Sequence, residues 1–212
     1  MRTLEEAFPT RVAGVIRTEN PELAFHACVA ASEGGIGTLE VTMTVPSCFD
    51  VVRGLIASTG GSTPVGVGTV WEPGAVAQAK EAGAAFVVTP ALLPEVAAEC
   101  RKHDILCVLG ALTPTEIHQA RAAGADLVKV FPVASVGGPA YIGYLNGPMK
   151  GIPLWVSGGV EIGDVEAYLA LGVKAVGLTS SLFPKELLQK GDLNGIRELA
   201  RKAAAAAPVM AA

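Results

Sequence analysis

The chain has 212 residues, half of them hydrophobic, and a formal net charge of −4; it can bury a sizeable core, and disorder is excluded. No basic block or aromatic-interleaved basic stripe is present, which argues against a nucleic-acid partner. Apolar stretches break at Gly, Pro or charge well short of the roughly 18 residues that span a bilayer, so no membrane role is expected. The opening "MRTLEEAF" is acidic where a targeting segment would be basic or apolar. The expected location is the cytoplasm, or an organelle if a transit peptide has been removed.

In chain order, "RVAGVIR" (11–17) reads as a first strand and "NPELAFHACVAASEGG" (20–35) as a helix. A second strand, "GTLEVTM" (37–43), and a third, "PVGVGTV" (64–70), precede the helix "EPGAVAQAKEAGA" (72–84). Then come "AAFVVTP" (84–90), helix "LLPEVAAECRKHD" (92–104), strand "ILCVLG" (105–110) and helix "TPTEIHQARAAGA" (113–125). The strands "DLVKVFP" (126–132) and "IPLWVSGG" (152–159), the helix "IGDVEAYLALGV" (162–173) and the strand "KAVGLTS" (174–180) follow. A closing helix, "DLNGIRELARKAAAAAP" (192–208), ends the series. Several helices stop on Gly, and Pro and acids stand in first turns.

Strand–helix alternation of this kind demands parallel strands with crossover helices. Eight strands in one domain over 1–212 predict an α/β fold, a (β/α)8 TIM barrel, rather than an open doubly wound sheet. No G-x-G-x-x-G follows the first strand, which weakens a dinucleotide fold further. Cys28, Cys48, Cys100 and Cys107 are scattered and read as small buried thiols. His26, His103 and His118 show no ligand spacing, so no metal and no cofactor are expected.

Alternation along strands sets Lys129 on one face with Leu127 and Phe131, and Glu40 with Thr38 and Thr42. Arg17 goes with Ala13 and Val15, Ser157 with Trp155, and Thr69 with Val65 and Val67. Leu39/Val41, Val128/Val130 and Leu154/Val156 suit helix packing, so the polar set is expected to face inward. These residues lie in the middle or toward the C-terminal ends of their strands, where barrel active sites are built.

A buried charge needs a partner or a task. The plainer reading is a structural Lys129–Glu40 ion pair. The functional reading starts from desolvation, which disfavours an ammonium ion. A neutral amine can attack a carbonyl to form a Schiff base, with Glu40 moving protons. That role calls for a Glu40 that is mobile or water-bridged rather than tightly locked. "SGG" (157–159) and "GLTSS" (177–181) close the last two strands, where such barrels commonly bind phosphate.

Together "LEVTM", "GVGTV", "VTPAL", "LTPTE", "VKVFP", "SGGV" and "GLTSSLF" resemble the 2-keto-3-deoxy-6-phosphogluconate and 4-hydroxy-2-oxoglutarate aldolase family over nearly the whole chain. The resemblance implies a metal-free barrel, usually a homotrimer, acting on a small phosphorylated 2-keto-3-deoxy sugar acid and yielding pyruvate. It gives Lys129 the Schiff base and Glu40 the general acid–base work. It makes Thr69 and Pro90 substrate contacts, and Ser157, Gly158, Gly159, Thr179 and Ser180 the far end of the site.

Thr44 stands where some members carry a carboxylate-holding arginine, and Arg17 matches the one that galactonate-type members carry instead. Arg17 is accordingly expected over the Glu40–Lys129 pair, the alternative being a rim arginine paired with Glu19. The gluconate epimer is the expected substrate. The galactonate epimer and 4-hydroxy-2-oxoglutarate are alternatives on the same site. An isomerase or epimerase, or a non-catalytic sugar-phosphate-binding barrel, are the readings of a different class.

Overall fold

A computed structural model describes residues 2–207. Its eight strands are β1 (Val12–Ile16), β2 (Thr38–Thr42), β3 (Val65–Gly68), β4 (Phe86–Val88), β5 (Leu106–Ala111), β6 (Leu127–Val130), β7 (Leu154–Ser157) and β8 (Ala175–Leu178). They are parallel, hydrogen-bonded in sequence order, and closed by β8 against β1 into a barrel. Each expected strand is present. The helices are α1 (Leu4–Ala7), α2 (Pro21–Glu33), α3 (Cys48–Ser58), α4 (Ala75–Glu81), α5 (Pro94–Lys102), α6 (Pro114–Ala122), α7 (Pro139–Asn146), α8 (Val165–Ala170), α9 (Lys185–Lys190) and α10 (Leu193–Ala205).

Local chemistry starts these helices where the sequence put Pro and acids. Asn20 caps α2 by accepting from Leu23 N–H ahead of Pro21, and Thr113 and Glu116 close a reciprocal capping box ahead of α6. The closing helix α10 lies against α2, where Gly34 leaves room for Ala200 and the Arg197 carbonyl. Among the described residues no helix is long and apolar enough to cross a membrane.

Two apolar cores result. Leu39, Val41, Val128, Val130, Leu154 and Val156 join the layer between strands and helices. Ala13, Val15, Leu127 and Trp155 join the barrel interior. The interior is closed at its N-terminal end by α1, which the sequence reading did not identify as an element. Its signal was Thr3 with Glu6, a capping box, ahead of Phe8. Phe8 packs on Phe86 at 4.9 Å and on Trp155 at 5.3 Å between ring centroids, and Thr38 donates its hydroxyl to the Ala7 carbonyl at 2.8 Å. This apolar plug leaves the C-terminal mouth as the open end.

One face is the reverse of that expected. Val65 and Val67 of β3 belong to the helix-facing core, so Gly66 and Gly68 point inward. A Cβ on Gly66 would stand 2.1 Å from the Phe86 ring, and one on Gly68 1.8 Å from Glu40 Oε1. The larger side chains of neighbouring strands occupy that layer, so β3 must present hydrogen there.

Candidate active site

Glu40 and Lys129 meet inside the barrel from β2 and β6. Glu40 is fully buried and Lys129 nearly so. Lys129 Nζ donates to Glu40 Oε2 at 3.3 Å and Oε1 at 3.5 Å. The contact is direct rather than water-bridged, yet longer than the roughly 2.7–2.9 Å of a tight charge-assisted bond. Nζ also lies 5.2 Å from the Trp155 ring centroid and 5.6 Å from that of Phe131. Burial first, then the charge of Glu40, push the Cys48 thiol up to about 12. Among the described residues no three His, Cys, Asp or Glu side chains form a group fit for a metal.

The room for Glu40 comes from Gly68. Gly68→Ala is expected to displace the carboxylate and to lower turnover by about 10²-fold, the scale of a misplacement of about 1 Å. Gly74→Ala, whose new methyl meets nothing within 4 Å, is expected to keep the wild-type rate. Steady-state kinetics with circular dichroism compares the two.

Arg17 is exposed and donates from Nη2 to Thr69 Oγ1 at 3.0 Å. It therefore does not sit in the Glu40–Lys129 ion pair, and it forms no pair with Glu19 among the described residues. Thr69 reaches this position through a left-handed backbone, φ 59°, and not by sharing a strand face with Val65 and Val67. The left-handed turn at the end of β3 re-aims the side chain toward the rim above β1. Thr44 shares a 2.7 Å hydrogen bond with Thr42, whose hydroxyl donates to the Ile16 carbonyl at 3.0 Å. Thr44 thereby supports the Thr42 hydroxyl that ties β2 to β1.

Ser157, the last residue of β7, is buried, and beyond it Gly158 and Gly159 take φ of 89° and 76°, conformations that favour glycine. Side chains there would collide with Phe131, Pro132 and Ala134, so the β7 loop lies flat on the β6 loop, where Gly158 accepts from Ala134 N–H at 3.1 Å. After β8 the Thr179 carbonyl accepts from Leu182 and Phe183 N–H, forming a turn that leaves Ser180 exposed. Ser181, which the sequence reading passed over, donates to the Val160 carbonyl at 2.7 Å and joins the two loops. Among the described residues the N–H groups of Gly158, Gly159 and Ser180 donate to no acceptor. Pro90 is half-buried after β4, its peptide packed on Gly110, the register neighbour of Lys129.

A family model described as "KDPG and KHG aldolase" matches residues 5–199. The chain is 33% identical over 175 residues to a 2-dehydro-3-deoxy-phosphogluconate aldolase of Pseudomonas aeruginosa, covering 82% of this chain and 79% of that one. It is 32% identical over 193 residues to the KHG/KDPG aldolase of Escherichia coli, covering 91% and 90%. Its fold overlays, with a TM-score of 0.83 and 27% identity over 94% of this chain and 96% of the other, on a KDPG aldolase from Legionella pneumophila with pyruvate captured as a covalent carbinolamine intermediate. A family match spanning nearly the whole barrel, with a buried lysine–glutamate pair at its centre, places the chain in the KDPG and KHG aldolase family.

Proposed function

We propose that the protein is a class I aldolase that cleaves 2-keto-3-deoxy-6-phosphogluconate into pyruvate and glyceraldehyde 3-phosphate. The observation that carries this reading is the Lys129 amine held 3.3 Å from Glu40 inside the barrel. Passing one proton along that contact yields a neutral amine and a carboxylic acid together. The amine attacks the C2 ketone, Glu40 returns a proton to the departing hydroxyl, and water leaves an iminium. The iminium accepts the C3–C4 electron pair as a base removes the C4 hydroxyl proton, and the aldehyde departs. Protonation and hydrolysis of the enamine release pyruvate and restore the lysine. Borohydride reduction with pyruvate tests the reading: a reduced adduct on the Lys129 peptide is expected. Its absence would instead favour an isomerase or a binding barrel.

In this reading the free N–H groups at Gly158, Gly159 and Ser180 grip the phosphate, with Thr179 beside them, and Arg17, Thr69 and Pro90 line the keto-acid end. A non-phosphorylated 2-keto-3-deoxy acid is then expected to show kcat/KM lower by about 10²-fold or more, because even one hydrogen bond to a charged group is worth about 1.5–3 kcal/mol. Equal efficiency would move the preferred substrate to 4-hydroxy-2-oxoglutarate. The Arg17–Thr69 contact favours the galactonate epimer as a second reading, and the ratio of kcat/KM for the two epimers decides between them. The reading also carries a homotrimer, which sedimentation equilibrium tests.

A further inference from the structure

Thr89 lies between β4 and the Pro90 peptide and is completely buried. Its backbone N–H donates to the Val108 carbonyl at 2.9 Å, continuing the β4–β5 ladder. In a parallel ladder the next bond would run from Gly110 N–H to the Thr89 carbonyl. Instead Gly110 N–H donates to the Thr89 hydroxyl oxygen at 3.1 Å, and that hydroxyl donates its own proton to the Ala91 carbonyl at 2.6 Å. The side chain thus ends the ladder and turns the chain out of the sheet. The turned peptide settles on Gly110: a Cβ there would stand 2.4 Å from the Pro90 carbonyl carbon and 2.6 Å from Ala91 N. Gly110 is directly in register with Lys129 on the next strand. One buried hydroxyl therefore fixes a wall of the mouth beside the Lys129 position, and the Ala91 N–H in that wall donates to no described acceptor.

We infer that Thr89 is a positioning residue for keto-acid binding, holding the Pro90–Ala91 peptide against Gly110 so that it forms the wall beside Lys129. The inference rests on the aldolase reading, and its test keeps the two apart. Borohydride trapping of pyruvate is titrated for the wild type, Thr89→Val and Thr89→Ser. In Thr89→Val, which keeps shape and loses the hydroxyl, half-saturation is expected to rise by about tenfold, the scale of one net hydrogen bond. The trapping rate at saturation should stay close to wild type, because Lys129 and Glu40 are untouched. Thr89→Ser should restore wild-type half-saturation. An unmoved half-saturation in folded Thr89→Val, or a serine variant as impaired as the valine one, overturns the inference. A wild type that traps no pyruvate overturns the aldolase reading instead. If Thr89→Val does not fold, Gly110→Ala serves. It keeps the hydroxyl and displaces the same peptide, so it must raise half-saturation likewise, and an unchanged value refutes the positioning role.

Discussion

Lys129→Ala is expected to abolish cleavage and, at the same time, to weaken the fold. On the proposed mechanism, loss of cleavage follows from removing the amine that would form the iminium; among the described residues no other lysine is buried. The fold is weakened because Glu40 is fully buried and Lys129 is the cation that faces it. Removing one partner of such a pair costs about 3–5 kcal/mol, since the remaining charge is stranded. The double variant Lys129→Met/Glu40→Gln, which leaves no stranded carboxylate, should regain much of the lost stability while remaining inactive. Urea unfolding of the wild type and both variants, with a coupled assay for pyruvate release, checks both halves. Residual turnover in Lys129→Ala at more than a trace level would rule out the Schiff-base mechanism.

Glu40→Gln should separate imine formation from turnover. The amide keeps the size of the carboxylate, so the space left by Gly68 remains filled and Lys129 stays between the Trp155 and Phe131 rings. What is lost is proton transfer at the carbinolamine and at the C4 hydroxyl. A general acid–base group contributes about 10² to 10⁴ in rate, and kcat should fall by that factor. Pyruvate should still be trapped on Lys129, more slowly. If kcat is close to wild type while trapping is intact, a water or another group carries the protons and Glu40 serves only as the counter-ion.

Much of this was legible in the sequence because two periodicities dominate it. Alternating strands and helices fix a parallel sheet, and eight of them in a chain of this length fix a closed barrel. The strict alternation of "TLEVT" and "LVKV" then assigns faces: β-branched and aliphatic residues pack on helices, so Glu40 and Lys129 must turn inward, whatever the rest of the chain does. Chemistry local to one segment, such as the Pro and acids in first turns and the Gly158–Gly159 turn, was equally visible.

Tertiary structure decided what depends on two distant segments at once. The valines of "VGVG" suggested an inward apolar face, but glycine leaves no hydrophobic signal, and only the fit against Phe86 and Glu40 shows that hydrogen is required inside. The left-handed turn at Thr69 reverses a parity argument that holds only within a strand, and so places the Arg17 guanidinium on Thr69 rather than over the ion pair. The pin at Thr89 joins groups 21 positions apart, and the plug formed by Phe8 meets rings from β4 and β7. Sequence periodicity is a property of neighbours along the chain, so it determined the barrel and the inward-facing Glu40–Lys129 pair. The close approaches that shape the mouth exist only once the strands are side by side.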